Sequence, residues 1–265
     1  MLGVFDSGLG GLSSVRKLTE ILPREDIVYF GDTGRVPYGT RGRETIIRYA
    51  LQDLRFLERF SPKAIIVACG TVSSVALDAL RQATEVPVIG VVEPAVRAAL
   101  AASRERKIAV LGTPATIRSG SYAAKLKAAD PALSVLGQAC PLFVPLVENG
   151  HIDPADPITK ETVKRYLEPV LAFGADTIIL GCTHYPFLKR AIGEYVGEGI
   201  RLIDAGTESA LETKRILEEK DMLSQAGGER RFYVSDSPQG FAETARVFLD
   251  REIGEAVKYV DIEKY

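Results

Sequence analysis

Short runs of apolar residues alternate along the chain with stretches whose apolar residues recur every three or four positions. The runs predict nine β-strands, at residues 2–6, 26–31, 64–69, 87–91, 107–112, 133–140, 177–182, 200–204 and 230–236. Several runs are continuously apolar, which is typical of parallel strands covered on both faces. The helical period is clear at 43–60 and 158–173. This alternation predicts an α/β fold with mainly parallel sheets flanked by helices.

Nine strands are more than one compact sheet of a small domain holds, so we expect two similar domains. Residues 1–94 and 205–265 would form a first, discontinuous α/β domain, and residues 95–204 the second. A likeness between two segments, KAIIVACGT (63–71) and DTIILGCTH (176–184), supports the division. Both have a polar start, an apolar strand, a cysteine and a threonine, which hints at internal duplication.

Composition narrows the function classes. A net charge of -2 over 265 residues gives no reason to expect binding to nucleic acid or to an anionic membrane. No apolar run approaches the roughly 18 residues of a membrane span, and the first residues lack the basic start of a signal peptide. Three cysteines at no framework spacing predict reduced thiols in the cytoplasm. Two distant histidines and no CxxC spacing argue against a metal site.

Two of the three cysteines, Cys69 and Cys182, each end a predicted parallel strand. Open α/β sheets bind ligands at that edge, and the helix-like segment that follows each cysteine can lower a thiol pKa. His184, two residues beyond Cys182, could polarise that sulfur. A cysteine in an apolar run is more often a small buried hydrophobe, and we keep that interpretation for Cys140, which precedes proline and apolar residues.

The segment FDSGLGGLS (5–13) follows the first predicted strand and precedes a helix. It lacks the third glycine of a dinucleotide-binding loop, because Ser13 stands there, and it lacks the lysine of a P-loop. Its backbone amides suit a carboxylate as well as a phosphate. Asp6 and Ser7 lie at the strand end, where they would face a cleft, although capping the helix explains Asp6 equally well.

A second glycine-rich segment, YFGDTGRVPYGTRG (29–42), contains Asp32, Tyr38 and Gly39. It is either a plain turn or a loop that closes over a ligand. Glu148, in PLVENG, is by itself typical of a surface loop.

Together, these motifs resemble those of the glutamate racemases of the aspartate/glutamate racemase superfamily. The matching segments are FDSGLGGL (5–12), GD and PYG within 31–39, ACGT (68–71), IRSGSY (117–122), CPLFVPLVE (140–148) and GCTHYP (181–186). The resemblance implies two domains that face each other across an active-site cleft, with Cys69 and Cys182 as the catalytic acid and base and with no cofactor. It also implies conversion of L-glutamate to D-glutamate for peptidoglycan synthesis by a two-base thiol/thiolate mechanism.

The resemblance also implies a set of site residues. Those that would bind the substrate are Asp6, Ser7, Tyr38, Gly39, Gly70, Thr71, Thr183 and His184, and Asp32 and Glu148 match acidic positions that support the chemistry. The family usually has ACNT where this chain has ACGT, so Gly70 replaces an asparagine that contacts the substrate. We therefore expect a gap beside Cys69, and we expect Gly70→Asn to fold normally and to change KM by at most about tenfold.

Three alternatives stay open, and the weakest of them is a nucleotide-binding module, which Ser13 disfavours. Aspartate racemase activity would use the same paired thiols on a shorter substrate, and the residues that hold the side-chain carboxylate are not identifiable from sequence. Outside enzymes, the chain could be a redox-active or ligand-binding regulatory protein. The expected partner is the small molecule glutamate, with no nucleic acid, membrane, metal or cofactor, and the expected assembly is a homodimer, since dimers are the commonest homo-oligomers.

Overall fold

The computed structural model describes residues 1–249 and 257–265, and these form ten strands and twelve α-helices. The strands are β1 (Leu2–Asp6), β2 (Ile27–Gly31), β3 (Ala64–Val67), β4 (Val88–Gly90), β5 (Lys107–Gly112), β6 (Ser134–Ala139), β7 (Thr177–Leu180), β8 (Arg201–Asp204), β9 (Arg230–Val234) and β10 (Val257–Tyr259). The helices are α1 (Leu12–Ile21), α2 (Arg43–Glu58), α3 (Gly70–Val75), α4 (Leu77–Ala83), α5 (Val92–Ala102), α6 (Pro114–Ser119), α7 (Ser121–Ala129), α8 (Phe143–Glu148), α9 (Pro157–Phe173), α10 (Lys189–Val196), α11 (Ala205–Glu219) and α12 (Pro238–Leu249).

The described strands make two sheets, and all paired strands run parallel. The first sheet has the order β10-β9-β2-β1-β3-β4, and the second has the order β6-β5-β7-β8. All nine predicted strands are present, and the predicted α/β class is confirmed. The short strand β10 was not predicted, because its three residues are too few to reveal a period.

The two sheets repeat one arrangement. In each, the first strand of the chain lies inside, the second pairs on one side, and the third and fourth lie on the other side. The strands β3 and β7 therefore hold equivalent places, and they are the two strands that precede Cys69 and Cys182. This repetition agrees with the duplication hinted at by the sequence. It also places both cysteines near the reversal of strand order, where open α/β sheets bind ligands.

Four inner strands, β1, β2, β3 and β7, are buried along their whole length, as their continuous apolar runs predict. The helix α9 illustrates how the covering helices are specified. Asp156 caps its start by accepting a hydrogen bond from the N–H of Ile158 at 2.8 Å, and Pro157 occupies its first position. Gly174, at φ 75°, ends it. Its buried face repeats the predicted period through Val163, Leu167 and Val170.

Helix α11 lies between the two sheets, packing on α1 on one side and on α5 on the other. The predicted boundary at Pro94 falls inside α5, and the boundary at Asp204 falls where β8 meets α11. Residues 250–256 of the predicted first domain lie outside the described residues. The limits of the two domains thus stay a prediction. Among the described residues, no helix has the length and apolar content needed to cross a membrane.

Candidate active site

A cavity of about 390 Å³ opens between the carboxyl edges of the two sheets. Loops that follow β1, β2 and β3 contribute one wall, and loops that follow β5, β6 and β7 contribute the other. Ten of the twelve predicted site residues line it: Ser7, Tyr38, Gly39, Cys69, Gly70, Thr71, Glu148, Cys182, Thr183 and His184. Asp6 and Asp32 do not line it, and each lies buried behind the loop that it supports.

Cys69 lies two residues beyond the end of β3 and is the N-cap residue of α3. Its thiol is buried, and its Sγ lies 3.5 Å from the Ser7 hydroxyl oxygen. Burial raises the pKa of Cys69 to about 12, and the carboxyl group of Asp6 adds to the rise, while the hydrogen bond to Ser7 opposes it. Cys69 therefore favours the protonated thiol.

Cys182 lies two residues beyond the end of β7 and has a histidine beside it instead. Its Sγ is 3.9 Å from Nδ1 of His184, and Nε2 of the same ring is 2.9 Å from Oε1 of Glu148. Burial lowers the pKa of His184, but the hydrogen bonds to Cys182 and Glu148 outweigh it and raise the pKa to about 10. The raised pKa favours a cationic imidazole, and a cationic ring has an N–H at Nδ1, which faces Cys182, as well as at Nε2.

Asp6 supports the turn behind Ser7. Its Oδ2 accepts a hydrogen bond from the N–H of Gly8 at 3.1 Å, and its Oδ1 has no partner among the described residues. Burial raises the pKa of Asp6, and the nearby His184 opposes that rise. The sequence left open whether Asp6 faces a ligand or caps a helix. In the structure, no side-chain hydrogen bond caps the start of α1, and Asp6 lies buried behind the residues that line the cavity. A role of Asp6 in substrate binding stays a prediction.

Asp32 anchors the loop that carries Tyr38. It accepts hydrogen bonds from Tyr38 Oη and from Nε of Arg35, the latter at 2.6 Å. Arg35 also lies 3.2 Å from Oδ1 of Asp53, a second fully buried carboxyl group. The Tyr38 hydroxyl is thereby held by carboxyl groups behind the loop. Sequence reasoning missed Arg35 and Asp53, because residues in helices and turns behind a loop leave no strand-end signal.

Gly70 differs from its expected role. The replacement of an asparagine by Gly70 predicts a gap beside Cys69. Instead, the backbone of Gly181 fills that space, and a methyl group built on Gly70 would overlap the Gly181 carbonyl oxygen. The expectation that Gly70→Asn is well tolerated is therefore not supported, because a larger side chain meets main chain rather than empty space.

Two further cavity residues, Thr113 and Cys140, were not predicted. Thr113 follows β5, and its Oγ1 lies 2.9 Å from Oγ1 of Thr71, which joins the two walls. Cys140 follows β6, lies against the cavity and has a pKa raised by burial. Both residues directly follow a strand, so the expectation that ligands bind at the carboxyl ends of parallel strands, which identified Cys69, would have identified them as well. Within the described part of the chain, no group of three or more His, Cys, Asp or Glu residues is arranged to hold a metal ion.

Comparison with known proteins agrees with this geometry. Residues 3–213 match the family described as Asp/Glu/Hydantoin racemase. The glutamate racemase of Geobacter metallireducens is 44% identical over 256 residues, covering 96% of this chain and 94% of the relative. The crystal structure of the Francisella tularensis glutamate racemase in complex with D-glutamate superposes with a TM-score of 0.92 at 38% identity, covering 100% of this chain and 98% of that one.

A more distant structure, an aspartate racemase homologue from Pyrococcus horikoshii, superposes with a TM-score of 0.60 at 18% identity over 82% of this chain and 98% of that one. That likeness shows a shared fold alone. The matches that cover nearly the whole chain carry the assignment. The chain belongs to the Asp/Glu/Hydantoin racemase family and, within that family of isomerases, to the glutamate racemases.

Proposed function

We propose that the chain interconverts L- and D-glutamate without a cofactor, using Cys69 and Cys182 as the two proton-transfer groups. One observation carries the proposal: two thiols, each two residues beyond an equivalent strand, line the same cavity from opposite walls. Racemisation removes the α-proton from one face of the carbon and returns a proton to the other. Two small acid/base groups on opposite walls suit that task, since neither has to cross the planar intermediate.

The two groups need different charges at the start of a turnover, one thiolate and one thiol. We assign the thiol to Cys69, whose buried site favours protonation. We assign the thiolate to Cys182, because Nδ1 of His184 lies 3.9 Å from its sulfur and can donate a hydrogen bond to a thiolate. When L- or D-glutamate is converted, the thiolate takes the α-proton and becomes a thiol, and the thiol gives its proton to the opposite face and becomes a thiolate. Proton exchange with the solvent then restores the starting charges.

The substrate α-proton is not acidic, and the reaction has to stabilise a carbanion-like charge with fixed donors. The hydroxyl groups of Ser7, Thr71 and Thr183 line the cavity, as does the backbone at Gly39 and Gly70. We propose that these groups hold the two carboxylates and the amino group of glutamate. Asp6, Asp32 and Glu148 act behind them, through the Gly8 turn, the Tyr38 loop and His184.

The motifs that resemble the glutamate racemases also support proposals beyond the reaction. We propose that the D-glutamate serves peptidoglycan synthesis, that the protein works in the cytoplasm, and that it forms a homodimer. We also propose the division into a first domain of residues 1–94 and 205–265 and a second of residues 95–204. Light scattering on the purified chain tests the dimer, since a monomer mass would contradict it.

The decisive experiment incubates dialysed protein with L-glutamate, D-glutamate or L-aspartate in heavy water and follows both chirality and deuterium at the α-carbon. We expect D-glutamate formation without added pyridoxal phosphate, with deuterium in the product from either enantiomer, because the proton returned is not the proton taken.

Preference for L-aspartate would assign the alternative substrate. Activity only with pyridoxal phosphate, or product that keeps its original hydrogen, would overturn the two-thiol reaction. Mild oxidation that forms a disulfide without any racemase activity would favour a redox protein.

A further inference from the structure

The backbone on both sides of Cys182 touches the wall that carries Cys69. The residue before it, Gly181, presents its carbonyl oxygen to Gly70, and the residue after it, Thr183, presents its carbonyl oxygen to Ser13. Both contacts join residues more than a hundred positions apart in sequence. The backbone that carries Cys182 is therefore held by the opposite wall as well as by its own strand.

The contact at Gly70 depends on the absence of a side chain. Gly70 is buried in the first turn of α3. A methyl group there would overlap the carbonyl oxygen of Gly181, lie 3.1 Å from the carbonyl carbon and lie 3.6 Å from Cα of Cys182. These are main-chain atoms that cannot rotate away, so a side chain at Gly70 has to push the two loops apart.

The contact at Ser13 is a hydrogen bond. The Ser13 hydroxyl lies 2.9 Å from the carbonyl oxygen of Thr183 and 2.8 Å from that of Gly10. The hydroxyl has one proton and can donate it to either carbonyl oxygen, and donation to Thr183 joins the two walls. Ser13 stands where a dinucleotide-binding loop has its third glycine. Its side chain is nearly buried, and it joins the two walls beside Cys182.

We propose that Ser13 and Gly70 are positioning residues that fix the backbone on each side of Cys182 and so set the place of its sulfur relative to Cys69. This inference rests on the proposed two-thiol reaction. Neither residue transfers a proton. Proton transfer requires donor and acceptor near contact distance, and a displacement of about 1 Å can cost about a hundredfold in rate. Main-chain contacts on both flanks of Cys182 limit such a displacement.

The test compares Gly70→Ala and Ser13→Ala with two matched controls. Ser14→Ala removes a neighbouring hydroxyl that is fully buried but has no partner among the described residues. Gly193→Ala adds a methyl group on α10 whose nearest neighbour in a non-adjacent element is a Leu202 side-chain carbon at 3.8 Å. We expect both controls to keep kcat within about twofold, as distant surface or unpartnered sites do.

For Gly70→Ala we expect kcat to fall about 30- to 100-fold, and for Ser13→Ala about three- to tenfold, with KM changed by less than about threefold in each. Proton transfer then becomes rate-limiting, so the isotope effect on kcat with α-deuterated glutamate should rise above that of the parent protein. A residue that only stabilises the fold would lower the melting temperature and leave the isotope effect unchanged.

Wild-type kcat and isotope effect in both variants would overturn the inference, provided that Cys69→Ala and Cys182→Ala are inactive. If those two cysteine variants keep racemase activity, the proposed reaction itself fails, and the positioning roles fail with it. If Gly70→Ala does not fold, Ser13→Ala decides alone, since removal of one hydroxyl leaves no overlap. A slower Ser13→Ala with a raised isotope effect supports the inference, and an unchanged one refutes it.

Discussion

The loops of Cys69 and Cys182 begin alike and surround their sulfurs differently. Each cysteine follows an equivalent strand by two residues. Two positions further on, the first loop has Thr71 and the second has His184. The Cys69 sulfur faces the hydroxyl of Ser7, with Asp6 nearby. The Cys182 sulfur faces the His184 ring, which Glu148 supports from α8.

The two loops show that the strands set the positions of the two thiols, whereas the neighbouring side chains set their electrostatic surroundings. The repeated strand order brings two thiols to one cavity, and it does so with the same few residues in each half. The electrostatic surroundings differ: burial and the Asp6 carboxyl group raise the pKa of Cys69, whereas hydrogen bonds to Cys182 and Glu148 raise the pKa of His184 and favour a cationic imidazole beside Cys182. A two-base racemase needs both, since two identical thiol environments would not favour one thiol and one thiolate.

Removal of either thiol should have the largest effect. We expect Cys69→Ala and Cys182→Ala each to lower kcat by at least about 10⁴-fold, the upper end for loss of an acid/base group. Chiral chromatography measures the rate. Cys140→Ala is the control, and we expect it to stay within about threefold, although Cys140 lines the same cavity. A dead Cys140→Ala that keeps its fold would show that the wrong pair had been chosen.

The single-thiol variants also sharpen the comparison. Each retains one group that reaches one face of the α-carbon. In heavy water, we expect each variant to exchange the α-proton of only one enantiomer of glutamate, and the two variants to exchange opposite enantiomers. Proton NMR follows the loss of the α-signal. Exchange of both enantiomers by one variant would mean that a further base reaches the second face.

Loss of the imidazole should come next in size. His184→Gln removes a charged hydrogen-bond donor from Cys182, and such bonds are worth about 1.5–3 kcal/mol, or about 10- to 150-fold in kcat. The other histidine supplies the control. His151 bonds to Asp156 at 2.6 Å outside the cavity, so we expect His151→Gln to change kcat by less than about twofold. Equal activities of the two histidine variants would remove His184 from the mechanism.

The same histidine should shape stability against pH. Its pKa is raised from 6.5 to about 10 in the folded chain, so the extra stability is fully present below pH 6.5 and is lost as the pH rises to about 10. One proton accounts for a slope of up to about 1.4 kcal/mol per pH unit. Urea unfolding of the parent and of His184→Gln across this window measures the difference. Parallel curves would contradict a raised pKa.

Much of this fold follows from local patterns. Continuous apolar runs identified nine strands, and the rule that ligands bind at the carboxyl ends of parallel strands identified Cys69 and Cys182. The predicted strands ran up to these cysteines, whereas β3 and β7 end two residues earlier. Strand ends are poorly marked in sequence, because the last apolar residues continue into the loop.

Contacts between distant residues were not predictable in the same way. Arg35 meets Asp53 across 18 positions, Thr71 meets Thr113 across 42, and Ser13 meets Thr183 across 170. The interpretation of Gly70 was wrong for this reason. A glycine in place of a larger residue suggests an empty space, but only the packing of the opposite loop shows that a carbonyl group occupies it.

The smallest expected effect concerns Ser7, the neighbour of the Cys69 thiol. Burial and Asp6 raise the pKa of Cys69, and the hydrogen bond with Ser7, at 3.5 Å, opposes them. Ser7→Ala should therefore raise that pKa further and slow alkylation of Cys69 by iodoacetamide at a fixed alkaline pH. The bond that lowers the pKa is the one that the Ser7 hydroxyl donates to the thiolate, and sulfur is a weak acceptor, so the effect should lie near the ordinary range of about 0.5–1.5 kcal/mol, or about two- to tenfold. Mass spectrometry of the labelled peptides gives the rate for each cysteine, and Cys182, which has His184 as its neighbour, is the internal control.

Equal slowing of both thiols would mean that Ser7 controls access to the cavity rather than the charge on Cys69. The electrostatic surroundings of the two cysteines would then differ less than Ser7 and His184 indicate.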